Sequence, residues 1–187
     1  MKYLIAGLGN VGEEYSGTRH NIGFMILDAL ADTFGVHFRD NRFAFTSYFN
    51  HKSRIFLLIK PTTYMNRSGR ALHYWLKKEK VPLDRLLVVL DDTALPFGTI
   101  RLRPGGGDGG HNGLIHINQI LSTSQYARLR FGIGSEFPPG RQVDYVLGEW
   151  TYQEKQHLEE RIRLACDSIL SFGTIGIERT MNEFNSR

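Results

Sequence analysis

His20, His111, Asp91, Asn10, Asn66 and Asn112 are the residues of this chain whose types and placement could do chemistry. A neutral imidazole titrates near working pH and can take a proton from water. A carboxylate bonded to its other ring nitrogen selects the tautomer and stabilises the imidazolium. Asparagine supplies an acceptor and donors without titrating, which suits recognition of an amide rather than a charge. Their placement is also suggestive. Asn10 follows the apolar run 3–6, Asn66 lies a few residues beyond the run 54–60, and Asp91 directly follows the run 86–90. In open α/β sheets, sites form in the crevice beyond the carboxyl ends of strands. Each residue alone has a plainer reading: loop asparagines cap helices or make Asx turns, Asn112 could be the N-cap of a helix, and Asp91 and Asp92 could both serve a turn. Together they point to hydrolysis by an activated water, on a substrate read partly through peptide-like groups. There is no G-x-S-x-G elbow and no H-E-x-x-H helix, and no His, Cys and acid cluster has metal-ligand spacing.

The glycines ahead of His20 suggest a different chemistry. Gly7, Gly9 and Gly12 satisfy G-x-G-x-x-G after an apolar run, the spacing of dinucleotide-binding turns. Such a turn needs a helix beginning at the third glycine and an acid at a strand end about 20 residues on. Here Glu13-Glu14-Tyr15-Ser16-Gly17 reads as loop, the helical pattern Ile22, Ile26, Leu30, Phe34 starts only near Asn21, and Asp28 and Asp32 fall inside that helix. Two glutamates beside a pyrophosphate would also repel it.

Several elements must position these groups. The periodicities predict strands over residues 43–50, 54–60, 86–90, 99–103 and 127–133, and helices over 21–34, 69–80 and 112–121. The tail is helical, opened by the capping box Thr151-Tyr-Gln-Glu154 and carrying the stripe Leu158, Ile162, Ala165, Ile169, Phe172. Strands that alternate with helices and are apolar on both faces predict a three-layer α/β/α single domain, residues 1–187, with a mixed, mostly parallel twisted sheet.

The bulk properties agree. The 187 residues suit one domain; 41% are hydrophobic and 22% charged. No apolar run is long enough to span a membrane, and the N-terminal run is too short for a signal peptide. The one cysteine, Cys166, excludes an internal disulfide and reads as a small core residue. These features predict a cytoplasmic protein. A net charge of +4 permits an acidic partner such as nucleic acid. Arg101-Leu-Arg103 and Arg128-Leu-Arg130 place an arginine pair on one face of each of two strands. Beside the glycine loop 104–110 they would form a basic patch suited to phosphate; the alternative is a plain solvated strand face. Lys77, Lys78 and Lys80 read as solvated.

The chain resembles the bacterial peptidyl-tRNA hydrolase family. The likeness rests on GLGNVGEEYSGTRHNIGF, KPTTYMNRSG, VVLDDTALPFGTIRLR, GGGDGGHNGL, RLRFGIG, DYVLGEW and MNEFN, in that order along nearly the whole chain. The resemblance implies cleavage of the ester joining a peptide to the 3′ end of tRNA, which recycles tRNA from chains that left the ribosome early, by a monomer without metal or cofactor. It makes His20 the base that activates water and Asp91 the group that holds it. By the same resemblance Asn10, Asn66 and Asn112 would bind the peptidyl and 3′-terminal part of the substrate, with Asn10 helping to separate blocked from free aminoacyl-tRNA. It also implies that Tyr15 and Tyr64 line the tRNA-facing site, that His111 has a supporting role, and that Arg103 and Arg130 clamp the 5′ phosphate. The chain departs from the family at Val11, where proline is usual; at Ala94, the second acid of D-x-x-D; and at Asp108, Ile115 and Ser135-Glu136, which reduce positive charge. Two rival readings remain at this point: a relative that grips RNA without hydrolysis, and a nucleotide-dependent oxidoreductase.

Overall fold

A computed structural model describes residues 1–187. The strands are β1 (Lys2–Gly7), β2 (Arg39–Asn41), β3 (Ala44–His51), β4 (Arg54–Pro61), β5 (Leu86–Asp92), β6 (Ile100–Arg103) and β7 (Ala127–Gly132). They form one seven-stranded sheet in the order β2-β3-β4-β1-β5-β7-β6. The central strands β4, β1, β5 and β7 are parallel, whereas β2–β3, β3–β4 and β6–β7 pair antiparallel. The helices are α1 (Ile22–Thr33), α2 (Ser68–Glu79), α3 (Asn112–Leu121), α4 (Gln142–Val146), α5 (Tyr152–Ile175) and α6 (Ile177–Phe184).

Alternation along the central strands divides the core in two. Ile5, Leu58, Leu87 and Val89 pack with Ile22, Ile26 and Leu30 of α1 and with the α5 stripe from Leu158 to Phe172. Leu4, Ala6, Leu57, Ile59, Val88 and Leu90 face the other way, against Leu72 and Trp75 of α2 and Leu114 and Ile117 of α3. Both faces of the sheet are therefore covered, which is why these strands are apolar throughout. The capping box is formed: Glu154 N–H donates to Thr151 Oγ1 at 3.1 Å, and Thr151 N–H to Glu154 Oε2 at 2.9 Å. Two elements lay outside the sequence expectation, β2, whose residues are all exposed, and α4, which buries none.

Gly7, the first of the glycine trio, serves packing. After Gly12 the chain makes short 3-10 turns at Glu13–Tyr15 and Arg19–Asn21, and α1 begins only at Ile22. A Cβ on Gly7 would run into the carbonyl oxygen of Gly23, and one on Gly23 would lie 2.5 Å from Leu8 N and 2.6 Å from Val89 O. The two glycines let the start of α1 lie against the ends of β1 and β5, which carries the preceding turn, with His20, over the sheet edge. Because rigid backbone surrounds Gly23, Gly23→Ala is expected to lower stability by about 1–3 kcal/mol, as overpacking does. Chemical denaturation checks this; an unchanged midpoint would mean that the contact relaxes freely.

Candidate active site

The sheet's carboxyl edge brings together residues far apart in sequence. Asp91, 2% exposed, ends the apolar run of β5. His20 sits on the 3-10 turn before α1, and its Nδ1 lies 2.8 Å from Asp91 Oδ2. His111 Nε2 lies 2.8 Å from the other oxygen, Oδ1. One buried carboxylate therefore bridges two imidazoles whose ring centroids are 5.2 Å apart. Burial by itself would raise the Asp91 carboxyl; the charges of His111 and His20 and the hydrogen bonds from both rings outweigh it and hold the group well below the usual carboxylate range.

The hydrogen-bond partners assign the tautomers. His111 is the N-cap of α3, and its Nδ1 accepts the Gly113 N–H at 3.1 Å. That nitrogen must carry a lone pair, so the His111 proton resides on Nε2 and is donated to Asp91. His20 donates Nδ1–H to the same carboxylate, and this is the only hydrogen bond of its side chain. Its Nε2 has no hydrogen-bond partner in the protein. The two rings thus differ: His111 has both nitrogens engaged, and His20 has one left open. The cap of α3 is His111, and Asn112 is the helix's first residue.

Asn10 is held on three sides. Its Oδ1 accepts the Met65 N–H at 2.8 Å, so the amide nitrogen faces outward as a donor. Its backbone N–H donates to Asn21 Oδ1 at 2.9 Å, and its carbonyl accepts from Asn21 Nδ2 at 2.9 Å. Asn21 was not singled out from the sequence; the signal was its place directly after His20 at a helix start. Arg19 was also passed over. It is 6% exposed, its guanidinium stacks 4.2 Å from the Tyr145 ring centroid, and it donates to Glu154 Oε2 at 3.2 Å. It ties the His20 turn to the chain around α4 and α5.

A cavity of about 610 Å³ opens beside the two histidines. Its wall includes His20, Asp91, His111, Asn112, Arg103, Arg130 and the glycine loop 105–110. Asn10 is joined to this group through Met65 and Asn21 rather than by lining the cavity. Asn66 and Tyr64 line a separate shallow hollow with Arg67 and Arg70. Tyr15, half-buried on its 3-10 turn, lines neither.

The arginine strands pair in register, Arg101 opposite Arg130 and Arg103 opposite Arg128. Four exposed cations do not result. Arg128 is 2% exposed and donates to the carbonyls of Gly107, at 3.1 Å, and Ser124, at 2.7 Å. It fastens the glycine loop. Arg130 is held by Asp92 at 2.5 Å, and Arg103 remains exposed at the cavity rim. Asp108 accepts the Gly110 N–H at 2.8 Å and also lines the cavity, close to Arg128.

His20, Asp91 and His111 offer ligand atoms within 4.8 Å of one another and are of types that hold metals. Spacing along the chain hides this set, because Asp91 lies 71 residues from His20 and 20 from His111. Both carboxylate oxygens are, however, taken by ring nitrogens at hydrogen-bond distance.

The doubly covered sheet with a carboxylate–histidine group at its carboxyl edge is the layout of an α/β enzyme. The family model for peptidyl-tRNA hydrolase matches residues 4–187, and the chain belongs to that family of hydrolases. It is 54% identical to the peptidyl-tRNA hydrolase of Phocaeicola vulgatus over 187 residues, the whole of both chains, and 54% identical to that of Bacteroides fragilis over the same extent. The crystal structure of the Acinetobacter baumannii peptidyl-tRNA hydrolase superposes with a TM-score of 0.93 at 33% identity, covering 98% of this chain and 94% of that one. The dinucleotide reading of the glycines gains nothing from these relatives. No helix is long and apolar enough to cross a membrane.

Proposed function

We propose that the chain hydrolyses the ester between a peptide, or an N-blocked amino acid, and the 3′ ribose of tRNA, recycling peptidyl-tRNA released early from ribosomes. The observation that carries this reading is the free Nε2 of His20, held by Asp91 at a cavity that also contains arginines for phosphate. His20 Nε2 takes a proton from water as the water oxygen bonds to the ester carbonyl carbon. Asp91 stabilises the imidazolium that forms. The proton then passes to the ribose 3′ oxygen as the acyl–oxygen bond breaks, giving the free acid and tRNA. His111 holds the second oxygen of Asp91 and the start of α3, a positioning role. On this reading the chain works in the cytoplasm as a monomer, and no metal takes part in the steps.

The Asn10 amide nitrogen, with Asn66 and Asn112, meets the peptidyl group. A free aminoacyl ester presents a hydrated ammonium that cannot accept a hydrogen bond, so an amide donor stays unpaired with it. Asn10→Ala is therefore expected to reduce the preference for N-acetylaminoacyl- over aminoacyl-tRNA by at least about tenfold. Release of each amino acid from the same tRNA measures the ratio; an unchanged ratio would remove Asn10 from discrimination. Tyr15 and Tyr64 are assigned to the RNA-facing rim on the family resemblance.

Arg103 and Arg130 are assigned to the tRNA 5′ phosphate. The double variant Arg103→Ala/Arg130→Ala is expected to raise KM, leave kcat within about twofold and flatten the salt dependence by about one unit per arginine. A salt slope equal to wild type would remove the clamp assignment.

A further inference from the structure

Five exposed cations, Arg42, Arg67, Arg70, Lys77 and Lys78, cover the outer side of α2 and the turn before β3. None of them takes part in an ion pair. Three successive hollows carry them, Arg70 lines all three, and no acid lines any. The first of the hollows contains Tyr64 and Asn66. Arg42 and Arg70 are fixed in place, 5.0 and 4.7 Å from the centroid of the Phe43 ring. Glu79, which is paired with Lys2, also lies near Lys78; the remaining excess of like charge is repulsive, and an anionic ligand would relieve the repulsion.

The strand order says which part of the substrate reaches this face. Asn10 follows β1 and Asp91 is the next-to-last residue of β5, the two strands at the centre of the site. On one side lie β7 and β6 with Arg130 and Arg103; on the other lies β4, whose following loop carries Tyr64 and Asn66. With the tRNA 5′ phosphate on the arginine side and the ester at His20, the acyl group leaves toward β4 and α2. Helix α2 has 12 residues and is about 18 Å long, the span of about six residues of extended peptide.

We propose that the α2 face is a binding surface for the peptide part of the substrate and selects for acidic peptides. This inference rests on the hydrolase reading above. The attraction acts equally on bound substrate and transition state, so it lowers KM and leaves kcat alone.

The test uses three N-acetylated peptidyl-tRNAs with the same tRNA and the same C-terminal residue. Their peptides, about six residues long, are rich in glutamate, serine or lysine. At low ionic strength the wild type is expected to show kcat/KM about tenfold higher for the glutamate than for the lysine substrate, the sum of a few exposed ion pairs of ordinary strength. The preference resides in KM and shrinks as salt rises. In the triple variant Arg70→Gln/Lys77→Gln/Lys78→Gln the ratio falls close to one. Equal wild-type rates for all three substrates would overturn the inference while leaving the hydrolase reading intact. So would a variant whose KM rises equally for all three, because the face would then grip RNA. Release from none of the three would overturn both readings.

Discussion

His20→Ala is expected to lower kcat for N-acetylaminoacyl-tRNA by at least about 10²-fold, toward the 10⁴-fold that a positioned general base can supply, with KM within about twofold of wild type. The split follows from the geometry. The only hydrogen bond of the imidazole is to Asp91, and its Nε2 has no hydrogen-bond partner in the protein, so in the proposed mechanism it bears on the proton of the attacking water rather than on tRNA affinity. Truncation leaves the His111–Asp91 bond and the α3 cap in place. Steady-state kinetics and a thermal melt together check this: a large loss in kcat with a native melt supports His20 as base. A loss confined to KM would make it a binding residue instead.

Asp91→Asn is expected to reduce kcat by about 10²- to 10⁴-fold, although the side chain keeps its shape. A carboxylate accepts from both rings; an amide accepts with one end and donates with the other. His111 Nε2 must donate, because its Nδ1 accepts from Gly113. The amide oxygen is therefore directed to His111 and the amide nitrogen to His20 Nδ1. That forces the His20 proton onto Nε2, where a base is needed, and the imidazolium loses its counter-charge. A nitrogen-15 spectrum of the variant should show the His20 proton moved from Nδ1 to Nε2; wild-type tautomers with full activity would contradict the assignment. The same carboxylate governs acid stability. Its folded-state pKa lies below the ordinary value, so its contribution is fully present above about pH 4 and is lost as pH falls toward the folded value. Asp91→Asn should remove that part of the acid dependence of unfolding.

Legibility in the sequence followed burial. The central strands β4, β1, β5 and β7 and the α5 stripe declared themselves because apolar burial leaves a periodic record. β2 and α4 bury nothing and left none. The candidate site divided along the same line. Asp91 stood out as an acid ending an apolar strand, and His20 and His111 as histidines in loops, yet their joining through one carboxylate is a product of strand order. Arg128 and Arg130 look alike in sequence. Only the closing of the glycine loop over Arg128, which places the Gly107 and Ser124 carbonyls on its guanidinium, makes it a fastener, whereas Arg130 is held by Asp92; both line the cavity. Asn21 could be read as a helix start; that its amide matches the Asn10 backbone on both sides is set by α1 lying against β1 through Gly7 and Gly23.

If this chain directs water, without a metal, to the acyl carbon of a blocked aminoacyl ester on tRNA, hydrolysis of N-acetylaminoacyl-tRNA in oxygen-18 water containing EDTA should be rapid, with one labelled oxygen in the liberated acid and none in the ribose hydroxyl. Binding of the tRNA without release, or release abolished by EDTA and restored by a divalent metal, would contradict it.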